Sequence, residues 1–148
     1  MSAVERPRLR FSDRAGWQDF PELTELTEQA LADLVARAWA QRQGPPGAVV
    51  EVVWMRAQEH DRLHDRFLAD PTPTDVITFP YDDDDLFGEI IVNLDMARAQ
   101  ARQHGHPMSA EVALYVVHGA LHLLGLEDAT DEQKAEMRSA EAAVLSSD

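Results

Sequence analysis

The sequence predicts an α+β fold, in which a small mixed β-sheet is covered by about five helices. Apolar residues recur at helical spacing in five segments, and four short stretches either alternate or are rich in β-branched residues. One helical segment, around Tyr115 to Leu124, is apolar on nearly every side. A helix of that kind is buried among its neighbours, so we expect it to lie at the centre of the fold.

The elements alternate along the chain. The predicted strands cover residues 4–11, 49–54, 75–79 and 86–94, and the predicted helices cover 21–43, 57–68, 95–103, 109–124 and 131–145. Asp95 and Ser109 are expected to cap the third and fourth helices. The last two strands are separated only by an acidic turn, residues 81–85, so they are expected to pair as an antiparallel hairpin or to lie as near neighbours.

Size and composition fit one domain over residues 1–148. The hydrophobic fraction of 45% is ordinary for a globular protein, and the polar first ten residues do not resemble a secretory signal. No apolar stretch approaches the roughly 20 residues of a membrane span. We therefore expect a cytoplasmic protein with no membrane partner. The absence of cysteine excludes disulfides and thiolate ligands, so any metal must be held by histidine and carboxylate.

A net charge of −14 argues against a nucleic-acid partner, but the distribution of charge weakens this argument. Residues 1–70 hold 9 basic and 12 acidic side chains, whereas residues 71–148 hold 4 and 15. Twelve of the 13 basic residues are arginine, which binds phosphate through a bidentate fork. Two groups of arginines each share one face. Arg6, Arg8 and Arg10 alternate along the first predicted strand, and Arg62 and Arg66 lie four residues apart on the second predicted helix. They indicate phosphate binding or, alternatively, an ordinary solvated surface.

The most informative motif is a pair of histidines four residues apart in the apolar helix. Positions i and i+4 lie on one helix face, so His118 and His122 can reach one cation. Gly125 is suited to end the helix and turn the chain back, which brings Glu127 or Asp128 beside them. Asp128 is the preferred third ligand because the chain needs a few residues to reverse, and the other acid would then accept a proton. Two imidazoles and one carboxylate on zinc, one ion per chain, leave a position open for water.

Several alternatives accompany this interpretation. A histidine in an apolar helix is more often a hydrogen-bonded core residue than a ligand. Gly119 occupies the position at which the zinc metalloprotease motif requires glutamate, which disfavours proteolysis; this glycine indicates close approach of a substrate or simply tight packing. Other groups are expected to be ordinary: His60 and His64 for want of an apolar setting, His104 and His106 as an exposed turn, residues 82–85 as a solvated loop, and Trp54 as core rather than a base-stacking residue.

Three segments together resemble the YbeY family of bacterial metal-dependent endoribonucleases. They are HGALHLLG at residues 118–125, PTDVITF at 73–79 and GEIIV at 88–92. The resemblance implies a zinc-containing nuclease for single-stranded RNA in the cytoplasm. It also implies a role in ribosomal RNA maturation, including the 3′ end of the small-subunit RNA, and in ribosome quality control, with the ribosome or its proteins as partners.

Two positions depart from the family pattern. Asp128 stands where the family usually has its third histidine ligand, which implies a change of ligand at an intact site. Leu68 stands where the family commonly has an arginine thought to take part in RNA cleavage, and Arg66 points to another side of its helix. No catalytic side chain beyond the metal ligands is assigned.

Three functions are therefore weighed. The first is the metal-dependent endoribonuclease. The second is a metal-stabilised RNA-binding factor in ribosome assembly with little catalysis of its own, which Leu68 and the acidity of the chain favour. The third is a hydrolase of some other small substrate. Cleavage of single-stranded RNA that depends on His118 separates the first from the second.

Overall fold

Four strands form one mixed sheet in the order β1-β2-β4-β3. We describe it from a computed structural model, which covers residues 6–146 and, among these, every side chain but that of Asp82. Strand β2 pairs in parallel with β1 and β4, whereas β3 pairs antiparallel with β4. The strands are β1 (Arg8–Asp13), β2 (Val49–Met55), β3 (Val76–Asp83) and β4 (Leu86–Asn93).

Five α-helices within residues 6–146 cover the sheet, so the predicted α+β class is confirmed. They are α1 (Glu28–Arg42), α2 (Ala57–Leu68), α3 (Leu94–His104), α4 (Met108–Leu123) and α5 (Asp131–Ser146). None of the helices within residues 6–146 is long and apolar enough to cross a bilayer. The hairpin of β3 and β4 is also as predicted, but its turn is shorter than the predicted residues 81–85: β3 continues beyond residue 79 to Asp83, which pairs with Leu86, and Asp84 and Asp85 form the exposed turn.

Two boundaries near the start of the chain differ from the prediction. Strand β1 runs to Asp13, beyond the predicted end, while residues 4 and 5 lie outside the described part. Helix α1 begins at Glu28, not at residue 21, because the Thr27 hydroxyl accepts the Ala30 N–H at 3.0 Å and caps the helix there. Two short 3₁₀ turns, Trp17–Asp19 and Pro21–Leu23, occupy the preceding segment.

Both predicted helix caps are wrong. The Asn93 side chain accepts the Met96 N–H at 3.0 Å and caps α3 two residues before Asp95. The Asp95 carboxylate instead accepts the Ala57 N–H at 2.8 Å and pairs with Arg56, so it supports the start of α2. Helix α4 begins after Pro107 without a side-chain cap, and Ser109 lies inside its first turn.

The two faces of the sheet are covered unequally. On the larger face, alternate residues of the central strands, such as Val52, Trp54 and Ile90, belong to one apolar cluster with residues of α1, α3, α4 and α5. Trp54 is therefore core, as expected, and its ring packs at a tilt against that of Trp17. On the other face, a smaller apolar cluster that includes Val53 and Ile91 packs against α2. Strand β2 is apolar almost throughout because it is buried on both sides.

Helix α4 lies between the sheet and the remaining helices of the larger face, as its apolar sequence predicts. Gly119 permits this close packing. A Cβ atom at this position would lie 2.5 Å from Ile90 Cγ2 and 3.3 Å from Thr78 Cγ2, well inside van der Waals contact. Of the two interpretations of Gly119, the structure favours tight packing, and the position of the two flanking histidines depends on it.

His60 of α2 is completely buried, so the expectation that it lacks an apolar setting is wrong. Its Nε2–H donates to the Ile91 carbonyl of β4 at 2.9 Å, since a carbonyl can only accept. Among the described residues, no group hydrogen-bonds to its Nδ1 atom. Burial disfavours the charged ring and lowers the pKa of His60 below its ordinary value of 6.5.

This buried histidine makes the stability of the fold depend on pH. Since its pKa is lower in the folded chain, its contribution is present above about pH 6.5 and is lost as the pH falls below that value, where the unfolded chain binds a proton first. We expect the free energy of unfolding in urea to fall more steeply from about pH 7 to 5.5 in the wild type than in His60→Gln, whose amide does not titrate. The exposed control His104→Gln should keep the wild-type slope. Equal slopes for wild type and His60→Gln would contradict this assignment.

Candidate metal centre

His118 and His122 lie side by side on one face of α4, near its C-terminal end. Both side chains are mostly buried, with exposed fractions of 18% and 24%. Their Nε2 atoms are 3.0 Å apart, and the rings meet edge to face. The i and i+4 spacing therefore brings two imidazole nitrogens to one point, as the sequence predicts.

The chain reverses immediately after α4 and brings a carboxylate to the same point. Gly125 has a positive φ of 104°, and the buried Leu126 donates its N–H to the Leu121 carbonyl at 3.0 Å, which closes the end of the helix. Asp128 Oδ2 then lies 3.4 Å from His118 Nε2 and 3.5 Å from His122 Nε2. The three sequence-predicted residues form a triangle of possible ligand atoms, which we call the ligand triangle.

Glu127, the competing acid, is directed elsewhere. Its side chain is exposed, and its Oε2 atom accepts a hydrogen bond from Gln133 of α5 at 3.1 Å. The carboxylate therefore lies neither in the ligand triangle nor at the pocket beside it, where the sequence interpretation would have used it as a proton acceptor. The chain-reversal argument for Asp128 agrees with this geometry.

Hydrogen bonds from the opposite ring nitrogens fix the direction of both imidazoles. His122 Nδ1 donates to the Leu126 carbonyl at 2.8 Å, and His118 Nδ1 is 2.5 Å from Glu141 Oε2 of α5. Since a carbonyl and a carboxylate accept hydrogen, each Nδ1 carries the proton, and each neutral ring presents a lone pair at Nε2. The Nε2 atoms of His118 and His122 and the Oδ2 atom of Asp128 thus lie close together. Because all three are electron-rich, a cation between them would stabilise this arrangement.

The distances in the ligand triangle suit a divalent transition metal. Ligand atoms about 2.0–2.1 Å from a tetrahedral zinc ion lie roughly 3.3 Å apart, close to the 3.0–3.5 Å observed here. Nitrogen and carboxylate donors are also the types that zinc accepts. The residues present therefore fit a zinc ion with one coordination position left for solvent.

Negative charge surrounds His118 and acts on its pKa in the direction opposite to burial. Burial opposes protonation, but the hydrogen bond and negative charge of Glu141, with Asp75 and Asp128 nearby, outweigh it and raise the pKa of His118. Burial, together with the charges of Glu111 and Asp75, also raises the pKa of Tyr115, whose hydroxyl remains protonated. The shift of His118 reports a concentration of carboxylates that attracts positive charge, whereas that of Tyr115 is mainly an effect of burial.

A pocket of about 270 Å³ opens beside the ligand triangle. Residues of four segments line it: Asp75, Leu114, Tyr115, His118, Asp128, Lys134, Met137, Arg138 and Glu141. A larger groove of about 800 Å³ lies on the other face of the sheet, beside α2, but it contains neither histidine of the pair. The smaller pocket is the one in which ligand atoms and solvent space meet.

Sequence reasoning missed four of the pocket residues: Asp75, Lys134, Arg138 and Glu141. The last three follow each other at i, i+4 and i+7 on one side of α5, next to the buried side of that helix. This spacing is a signal that the sequence contains. Only the packing of α5 against α4, however, shows that this side faces the histidines.

The arginines considered for phosphate binding are not at this pocket. Arg6 pairs with Asp33 at 2.6 Å, and Arg10 pairs with Glu51 at 3.2 Å. Arg62 and Arg66 are exposed on α2, which covers the opposite face of the sheet. Leu68, at the end of α2, is 56% exposed and brings no charge to that position.

A second group of possible ligands lies between α3 and α4. Atoms of His104, His106 and Glu111 come within 4.8 Å of one another, and His106 Nε2 is 2.7 Å from the buried Glu111 carboxylate. Both histidines are exposed in the turn, as predicted. The contact of His106 with Glu111 gives that buried acid a polar partner.

Fold and ligand triangle together define an α+β protein with a candidate histidine and carboxylate metal centre on its central helix. The chain belongs to the YbeY family, since the family model described as endoribonuclease YbeY matches residues 17–147.

Individual relatives agree with this membership. Endoribonuclease YbeY of Streptomyces griseus is 33% identical over 136 residues, which covers 82% of each chain. The protein of the same name from Bacillus licheniformis is 31% identical over 140 residues and covers 84% of this chain and 89% of its own. A solution structure from Thermotoga maritima superposes with a TM-score of 0.59 at 25% identity and covers 94% of this chain and 89% of that one.

Proposed function

We propose that this protein is a metal-dependent endoribonuclease that cleaves single-stranded RNA, with one zinc ion per chain held by His118, His122 and Asp128. The ligand triangle beside an open pocket carries this proposal, in a family whose relatives are named endoribonucleases. We further propose, from the family resemblance, that the substrates are ribosomal RNAs, including the 3′ end of the small-subunit RNA. The ribosome or its proteins would be the partners in maturation and quality control in the cytoplasm.

The residues of the chain have separable tasks in this reaction. When bound, a divalent cation supplies Lewis acidity to a phosphodiester and to water. Glu141 and the Leu126 carbonyl hold the two imidazoles in the tautomer that binds a cation. Asp75 is the pocket carboxylate that neither belongs to the ligand triangle nor bonds an imidazole, so it is the group available to accept a proton.

An RNA-binding assembly factor with little catalysis is the second candidate. Leu68 favours it, because an exposed leucine occupies the position where the family resemblance implies an arginine used in cleavage. The two candidates share the metal centre and the RNA partner. They differ in whether the RNA is cut.

The first test concerns the third ligand. Purified wild-type protein should contain about one zinc per chain by elemental analysis, and Asp128→Ala should lose most of it, because two imidazoles alone bind weakly. Glu127→Ala removes the neighbouring acid and should keep the zinc. His106→Ala should also keep it, which excludes the second histidine group as its source. Full zinc content in Asp128→Ala would refute the assignment of the third ligand. Loss of zinc in either control would assign that role to the residue changed there.

The second test concerns the hydrogen bond to His118. Glu141→Gln should weaken zinc affinity about 10- to 100-fold in a chelator competition, because it removes the carboxylate that orients the ring and raises its basicity. Glu132→Gln makes the same change at an exposed position of α5 and should leave the affinity unchanged. Unaltered affinity in Glu141→Gln would show that this contact does not support the metal centre.

The third test separates the two functions. Zinc-loaded wild type should cut a labelled single-stranded RNA and spare the same RNA annealed to its complement, and His118→Ala should reduce cleavage by about a hundredfold or more. A zinc-loaded protein that binds the single strand without cutting it would support the assembly factor instead. Cleavage that persists in His118→Ala at the wild-type rate would refute both uses of the metal centre.

A further inference from the structure

Two basic side chains stand beside the ligand triangle. Lys134, the only lysine in the chain, and Arg138 are four residues apart on α5, and both line the pocket that contains His118 and Asp128. Because positions i and i+4 lie on one helix face, both cations are presented to the same opening. Both side chains are exposed, so their charged ends are accessible to a ligand.

These two cations differ from most others in the chain, which are used in ion pairs. Carboxylates pair with the arginines at seven described positions: Arg6, Arg10, Arg14, Arg42, Arg56, Arg98 and Arg102. Within residues 6–146, no carboxylate lies at ion-pair distance from Lys134 or Arg138. In a protein with 27 acidic residues and a net charge of −14, two unpaired cations at one pocket are a local exception.

The pocket would otherwise repel a nucleic acid. Three carboxylates line it, of which Asp128 belongs to the ligand triangle and Glu141 bonds His118. Asp75 remains on its wall. A phosphodiester can approach such a surface only where positive charge offsets these acids. Lys134 and Arg138 are the side chains of the pocket that carry positive charge next to the carboxylates.

We propose that Lys134 and Arg138 form the site that holds the phosphodiester backbone of single-stranded RNA against the metal centre. Arg138 suits two oxygens of one phosphate through its planar fork, and Lys134 supplies a mobile point charge to the same or the next phosphate. Lys134 and Arg138 are positioning residues. They supply positive charge from α5, whereas Leu68 leaves α2 without the arginine that the family resemblance implies. This inference rests on the proposed function and deepens it.

The test measures binding of the zinc-loaded protein to a labelled single-stranded RNA with 2′-O-methyl riboses, and a gel after each titration checks that the RNA is intact. Lys134→Gln with Arg138→Gln should raise the Kd about 10-fold or more at about 50 mM salt. The slope of log Kd against log salt should fall by about 1.4, since each phosphate contact on a single strand contributes about 0.7. Zinc content should not change.

Arg62→Gln with Arg66→Gln provides the matched control. It removes the same charge from exposed, unpaired positions on the other side of the sheet, and it should change the Kd less than about twofold. The exchanged pair Lys134→Arg with Arg138→Lys keeps the charge and should keep most of the affinity. In cleavage assays the glutamine pair should raise KM and leave kcat within a few fold, because the metal ligands remain in place.

Each outcome distinguishes the two proposals. If the wild type cleaves RNA but the α5 pair binds as tightly as the α2 control, or the α2 control loses more, this inference is overturned and the proposed function stands. If zinc-loaded wild type neither binds nor cleaves single-stranded RNA, both fail. Loss of zinc from the α5 variant would assign these cations to the metal centre itself and would also overturn the inference.

Discussion

Two hydrogen bonds from imidazole Nδ1 atoms determine the rest of the candidate centre, because they decide where the Nε2 lone pairs point. One bond ends on the Leu126 carbonyl in the chain reversal, and the other ends on Glu141 in α5. These acceptors belong to different segments, so the lone pairs converge only after the reversal and α5 have packed on α4. The ligand triangle is therefore a product of tertiary packing, although its three members are close in sequence.

The packing of α4 on the sheet makes this arrangement possible. Gly119 removes the side chain that would meet Ile90, and the helix settles between the sheet and the other helices of that face. One face of the same helix then carries apolar residues into the core, while His118, near its C-terminal end, lines the pocket. A rigid, buried helix is a suitable base for ligands whose positions must hold within a fraction of an ångström.

Local chemistry was predictable from the sequence, and contacts between distant segments were not. The histidine spacing, the turn at Gly125 and the hairpin of β3 and β4 depend on neighbours in the chain, and the structure has all three. Glu141 lies 23 residues from His118 and became visible only with the packing of α5. The cap of α3 was predicted wrongly for a related reason. Asn93 and Asp95 are both good capping residues, but Asp95 binds the start of α2, and this contact depends on how α2 packs.

Helix α5 carries the Glu141 contact to His118 on the same side as Lys134 and Arg138. An ion and a polyanion that each favour the docked position of this helix strengthen one another, because two ligands that select one arrangement are thermodynamically linked. The linkage is reciprocal: a protein molecule that has bound RNA would also hold its metal ion more tightly. Under the proposed function, a chain without RNA would then release its ion first, and the metal-loaded form would be found mainly in complexes with RNA.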